Sequence, residues 1–250
     1  MKKSILLCGL LLAATCGVAS AAGLNLHWNT CAAGIGAAQN MNSLCDDDFL
    51  DFVAAAQFQM PSALSGVTGI EVTLDLASAS PTLPIWWQYN AGECRATELS
   101  MNGVAPSGAG CADWAGGTAQ GGLAAYNEGA HGPNSAHILG GLAVAAARNL
   151  TSLTQNFFAF NLKILGDNTT AAGSNGVACG GCDVAVCIVF NGIKVVTPTT
   201  FLQISGAQAP GSNFITWQGG AGVTSLLGQG CPAATATHKS TWGQVKSLYR

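Results

Sequence analysis

Within residues 68–76, Thr-Gly-Ile-Glu-Val-Thr-Leu-Asp-Leu, apolar and polar side chains alternate cleanly from Ile70 to Leu76. Ile70, Val72, Leu74 and Leu76 fall on one side, and Glu71, Thr73 and Asp75 on the other. Successive side chains of an extended strand point to opposite faces, so this pattern predicts a half-buried antiparallel strand. Its apolar face must be hidden against a second layer. Weaker alternation recurs at 52–59 and 157–165, where Phe158, Phe160, Leu162 and Ile164 are expected on one face. Segments 184–190 and 193–196 flank Asn191-Gly192, a pair that tolerates positive φ and predicts a tight hairpin. Residues 201–204 and 214–217 read as further strands. The alanines of 136–150 favour a helix, but its glycines and the Phe-rich strand downstream favour sheet, and we read it as strand. Gly, Ser, Pro and Asn clusters at 77–84, 103–110, 129–134, 166–176 and 206–213 separate these runs, and no repeat of fixed period is present. The expected fold is all-β, an antiparallel β-sandwich of immunoglobulin-like or jelly-roll-like type with disulfides and a short C-terminal helix or tail.

Charge narrows the function classes. Nine Lys and Arg and twelve Asp and Glu make 8% of 250 residues, against about 25% in an ordinary soluble domain. A surface so poor in cations excludes binding driven by phosphate neutralisation, so no nucleic-acid partner is expected. The 49% apolar content excludes a charge-rich disordered chain and supplies a substantial core.

Lys2 and Lys3, an apolar run from Ile5 to Ala14, and Ala19-Ser20-Ala21 have the order of a secretory signal peptide, expected over residues 1–21. That run is too short to span a membrane, and no later transmembrane span is expected. Cys16 raises the alternative of a lipidated leader. The sandwich domain is expected over 22–235 and a basic amphipathic tail over 236–250. The expected location is secreted: extracellular, at the cell surface, or periplasmic. Beyond the leader stand eight cysteines, Cys31, Cys45, Cys94, Cys111, Cys179, Cys182, Cys187 and Cys231. An even count in an oxidising compartment reads as a disulfide framework. Short loops close with the least chain entropy, so Cys31–Cys45 and Cys94–Cys111 are the expected local pairs, with Cys179, Cys182, Cys187 and Cys231 forming two more. The Cys179-Gly-Gly-Cys182 group, with Cys187 and Cys231, also has the makings of a tetrahedral zinc site or a thiol-exchange motif.

In the tail, Thr241 and Gln244 have capping-box spacing, Trp242, Val245 and Tyr249 share a helical face, and Lys246 and Arg250 fall at its C-terminal end. Trp242, Lys246, Tyr249 and Arg250 are therefore the docking candidates, for export or surface-attachment machinery. The bland alternative is a helix packed on the domain.

Several segments together carry a resemblance: Val67 to Leu76, Pro84-Ile-Trp-Trp-Gln88 running to Cys94-Arg95, Cys179-x-x-Cys182 with Val186-Cys187-Ile-Val, and the terminal Thr241-Trp-Gly-x-Val-Lys-x-Leu-Tyr-Arg250. They resemble uncharacterised secreted bacterial proteins over most of the mature chain, the terminal motif being the most specific part. The resemblance brings no activity with it. More loosely, the 67–76 strand with its long second half is similar to cohesin-like and other immunoglobulin-like sandwich modules, which speaks to fold alone.

Chemical motifs are scarce. No serine has the glycine spacing of a nucleophile elbow, and neither a HExxH pair nor a Walker loop is present. His27, His131, His137 and His238 leave open only a catalytic site assembled from distant residues. Glu128, His131 and His137 lie close in sequence and offer the ligand types of a zinc or copper site. Asp46, Asp47, Asp48 and Asp51 are a weak calcium candidate, since calcium prefers carboxylate oxygens; no other cofactor is implied. Trp86, Trp87 and Trp114 are the binding candidates, as flat indoles stack on sugar rings. In a strand Trp86 and Trp87 would face opposite ways. The expected function is a secreted, disulfide-stabilised, non-catalytic binding or structural module of the cell surface or matrix, its partner a polysaccharide or other envelope component. The alternative is a secreted hydrolase or metal-dependent enzyme with a non-local site.

Overall fold

The computed structural model describes residues 22–218 except 33, 35 and 210. The leader, Cys231, His238 and the docking candidates Trp242, Lys246, Tyr249 and Arg250 lie outside the described residues.

Two sheets pack face to face, as the alternation predicts. In the smaller one, β1 (Gly23–Trp28) pairs with β3 (Asp51–Gln59), β3 with β9 (Asn156–Leu165), and β9 with β5 (Leu99–Asn102), all antiparallel. A short β6 (Ala112–Asp113) adds in parallel to β9. The larger sheet runs β2 (Asn40–Met41), β12 (Phe214–Trp217), β10 (Val186–Val196), β4 (Leu64–Ser78), β8 (Ser135–Leu150) and β7 (Gln120–Glu128). On the side away from β4, β10 pairs first with β12 and then with β11 (Phe201–Ser205). Among the described residues the only helical element is a 3-10 turn over Ile85–Trp87.

The core lies between the sheets. Ile70, Val72, Leu74 and Leu76 of β4 meet Leu24, Leu26, Ala54, Ala56 and Phe58 of the opposite sheet, all buried. Residues 136–150 are indeed strand, within β8. Gly140 sits where β8 faces β5: a Cβ there would come within 2.2 Å of Met101 Sδ. Trp217 anchors one end of the core, its ring 5.1 Å from Trp86 and 4.6 Å from Phe52. Its Nε1 donates to the Cys182 carbonyl at 2.6 Å.

Three sequence expectations give way to the three-dimensional pairing. Asn191-Gly192 makes no hairpin, because β10 runs straight through it. The register against β4 steps from Phe190↔Leu74 to Gly192↔Thr73, which leaves Asn191 as the extra residue of a β-bulge. In β9, Phe158 does not share a face with Phe160. The register slips between Ala56↔Phe160 and Gln57↔Phe158, and a one-residue slip exchanges the two faces. Phe157 therefore joins the main core, while Phe158 packs with Cys31, Ala55 and Ala109 on the other side of that sheet. The disulfides are long-range: Cys31–Cys111, Cys45–Cys182 and Cys94–Cys179, closing separations of 80, 137 and 85 residues. The local pairs Cys31–Cys45 and Cys94–Cys111 do not form, and Cys179 and Cys182 bond to Cys94 and Cys45 rather than within their own group. Loop entropy ranks pairings in the unfolded chain, but pairing in the folded one follows which Cα atoms stand about 6 Å apart. Cys187 is also disulfide-bonded.

Candidate functional site

Chemistry-bearing residues gather on the outer face of the larger sheet, opposite the core. The same alternation that buries Leu74 and Leu76 turns Glu71, Thr73 and Asp75 outward. Asp75 is nonetheless covered, with 5% of its side chain exposed. His137 stands directly across from it in the β4–β8 ladder, and its Nδ1 lies 2.5 Å from Asp75 Oδ1. His131 comes from the turn between β7 and β8, and its Nε2 lies 3.0 Å from the same oxygen. That turn is held firmly. The His131 N–H donates to Ser135 Oγ, Ser135 Oγ donates to the Gly132 carbonyl, and Asn134 Nδ2 donates to the Ser78 carbonyl. Gly132 takes φ 129°, which a side chain would resist. Asp75's other oxygen accepts from Asn191 Nδ2 at 2.5 Å, so the bulge residue of β10 completes the cluster.

Further along this face the sheet is paved with glycine. Gly141 of β8 and Gly192 of β10, on either side of Glu71 and Thr73 of β4, leave low points in a groove of roughly 460 Å³ lined also by Leu139, Lys194 and Gln203. Glu71 and Lys194, ladder partners on adjacent strands, form an exposed ion pair at 3.2 Å beside it, so these two charges cancel and are screened by solvent. Lys194 also sits 5.6 Å from the ring of exposed Phe201.

The sequence-derived candidates fall elsewhere or recombine. Trp86, Trp87 and Trp114 are buried and present no open ring face to a sugar. Trp86 and Trp87 lie in the 3-10 turn, where neighbouring side chains need not oppose each other, and both turn inward. The buried Arg95 guanidinium lies 3.6 Å over the Trp86 ring and donates to its carbonyl at 3.0 Å. Burial pulls the Arg95 pKa down.

The aspartates of the calcium candidate have separate employments. Asp47 accepts from the Phe49 N–H, Asp48 takes both the N–H and the hydroxyl of Thr170, and Asp51 pairs with Lys163 at 2.7 Å. Among the described residues the one group with three ligand atoms within coordinating reach is Asp75, His131 and His137, and Asp46 is not in it. Glu128 does not join the two histidines either. It accepts from Asn90 Nδ2 at 2.9 Å, and burial pushes its carboxyl above the ordinary range. Cys179 and Cys182 are bonded to Cys94 and Cys45, so the CxxC spacing provides neither a thiolate pair nor a redox couple.

Asp75 and Asn191 were the residues the sequence concealed. The first read as a solvent-facing strand position and the second as a turn. The nearness of His131 and His137 was visible, but their carboxylate partner depends on cross-strand register. No protein-family model matches the chain, and no curated protein or solved structure matches it.

Proposed function

We propose that this chain is a secreted, non-catalytic binding module of the cell surface or extracellular matrix, and that it holds an uncharged polysaccharide strand along the glycine-lined groove of the larger sheet. The observation that carries the reading is the groove itself. The missing side chains of Gly141 and Gly192 let a ring or backbone approach the sheet closely, while Glu71, Thr73, Lys194 and Gln203 place donors and acceptors beside them. The paired charges of Glu71 and Lys194 suit a neutral ligand rather than an ionic one. The three long-range disulfides whose two ends are both described support the extracytoplasmic setting, and among the described residues no helix is long and apolar enough to cross a membrane.

Gly141 provides the test. A Cβ there would meet only the Ile70 carbonyl oxygen, at an ordinary 3.7 Å, so Gly141→Leu fills the groove without disturbing the sheet. In affinity electrophoresis against a panel of neutral envelope polysaccharides, the native protein is expected to be retarded by at least one. Gly141→Leu should lose that retardation while keeping its melting temperature. Equal retardation of both proteins, or retardation of neither, would remove the groove from consideration.

A further inference from the structure

We propose that Asp75, His131 and His137 bind a divalent transition-metal ion of the zinc or copper(II) class. This goes beyond the groove and stands independently of polysaccharide binding. Two imidazole nitrogens and one carboxylate oxygen form a donor set that zinc and copper(II) favour, whereas calcium and magnesium take oxygen ligands. The three ligand atoms lie within 4.8 Å of one another. In a tetrahedral site with bonds of about 2.0–2.1 Å, ligand atoms stand roughly 3.3 Å apart. The observed 3.0 Å and 2.5 Å from the two nitrogens to Asp75 Oδ1 mean that a small opening seats an ion. The imidazole rings meet at 81° with centroids 5.7 Å apart, so they converge without stacking.

The surroundings are arranged as a metal site needs. Asn191 takes Oδ2 and leaves Oδ1 to face the histidines, as an outer partner orients a ligating carboxylate. The apolar pattern of β10 does not require the bulge that delivers Asn191. Phe190 and Ile193 are both buried, and omitting the residue between Phe190 and Gly192 would preserve inward and outward alternation. Bulges often serve to aim a side chain beside a functional site. The His131 and His137 side chains are 38% and 25% exposed, which leaves a side of the site open to water or another ligand. Binding needs each ring to present a lone pair at the converging nitrogen. The tautomer with its proton on the other ring nitrogen supplies that lone pair, and an entering ion takes the place of the contacts to Asp75 Oδ1.

The experiment uses the full mature chain, purified without a histidine tag and stripped with chelator. Zinc is titrated in competition with a chromophoric chelator, and copper(II) is followed by electron paramagnetic resonance. The native protein is expected to take up one zinc and to show copper hyperfine coupling to two nitrogens. His131→Ala, in an accessible turn, should remain folded by its melting curve, weaken zinc at least tenfold and reduce the coupling to one nitrogen. Asp75→Asn should weaken zinc similarly, and Asn191→Ala by about 10–100-fold. Absence of zinc uptake by the native protein, or equal affinity and unchanged coupling in His131→Ala, would overturn the assignment.

Discussion

Trp217 shows how much one residue can carry. Its ring touches Trp28, Trp86, Trp87 and Phe52, and its indole N–H closes onto the Cys182 carbonyl beside a disulfide. Truncation removes a fully buried ring and leaves a cavity, so Trp217→Ala should lower unfolding free energy by about 3–5 kcal/mol in urea denaturation. A loss under about 1 kcal/mol would contradict this placement. His27 of β1 is half-buried, and desolvation lowers its pKa. The unfolded chain therefore takes up a proton below about pH 6.5 that the folded chain resists, and stability falls as pH drops through that window. Glu98 and Glu128, pushed up by burial, act with the opposite sign at lower pH, so a comparison is needed to isolate the histidine. The urea midpoint of His27→Gln should decline less between pH 7 and pH 5 than that of the native protein. Parallel declines would assign the acid sensitivity to other groups.

At the scale of the element, the bulge in β10 makes a testable distinction. If it serves to aim Asn191 rather than to hold the sheet together, deleting Asn191 leaves the inward sequence Val186, Ile188, Phe190, Ile193, Val195 in alternation. The deletion variant should still unfold in one cooperative transition by circular dichroism. Loss of cooperative unfolding would show that the bulge is needed where β10 changes neighbour from β12 to β11. The same element marks the limit of what one sequence discloses. Alternation in 68–76 was enough to identify β4 and its buried face, because the period of two is a local property. The bulges at Asn191 and opposite Ala56, by contrast, are set by partner strands distant in sequence. Local turn chemistry misread the first as a hairpin, and simple alternation put Phe158 on the wrong face. Trp86 and Trp87 were misplaced for a related reason: nothing nearby distinguished a short 3-10 turn from a strand. The candidate metal site was half legible. Its histidines lay six residues apart, but Asp75 reaches them only through the β4–β8 ladder.

At the scale of the molecule, the cross-links join segments that the sandwich brings together from far apart. Cys45–Cys182 and Cys94–Cys179 tie loops of the two halves of the chain beside the tryptophan cluster, and Cys31–Cys111 lies on the far side of the smaller sheet. Closing loops of 80 to 137 residues restricts the unfolded chain by roughly 4–5 kcal/mol per bridge in the chain-entropy view. A chain with few ionic groups and a glycine-rich sheet gains much from such constraint, which is compatible with an oxidising compartment. Peptide mapping of the unreduced protein by mass spectrometry tests this account most directly. It should recover the linked peptides Cys31–Cys111, Cys45–Cys182 and Cys94–Cys179. Recovery of Cys31–Cys45 and Cys94–Cys111 instead, or of these six residues as free thiols, would contradict it.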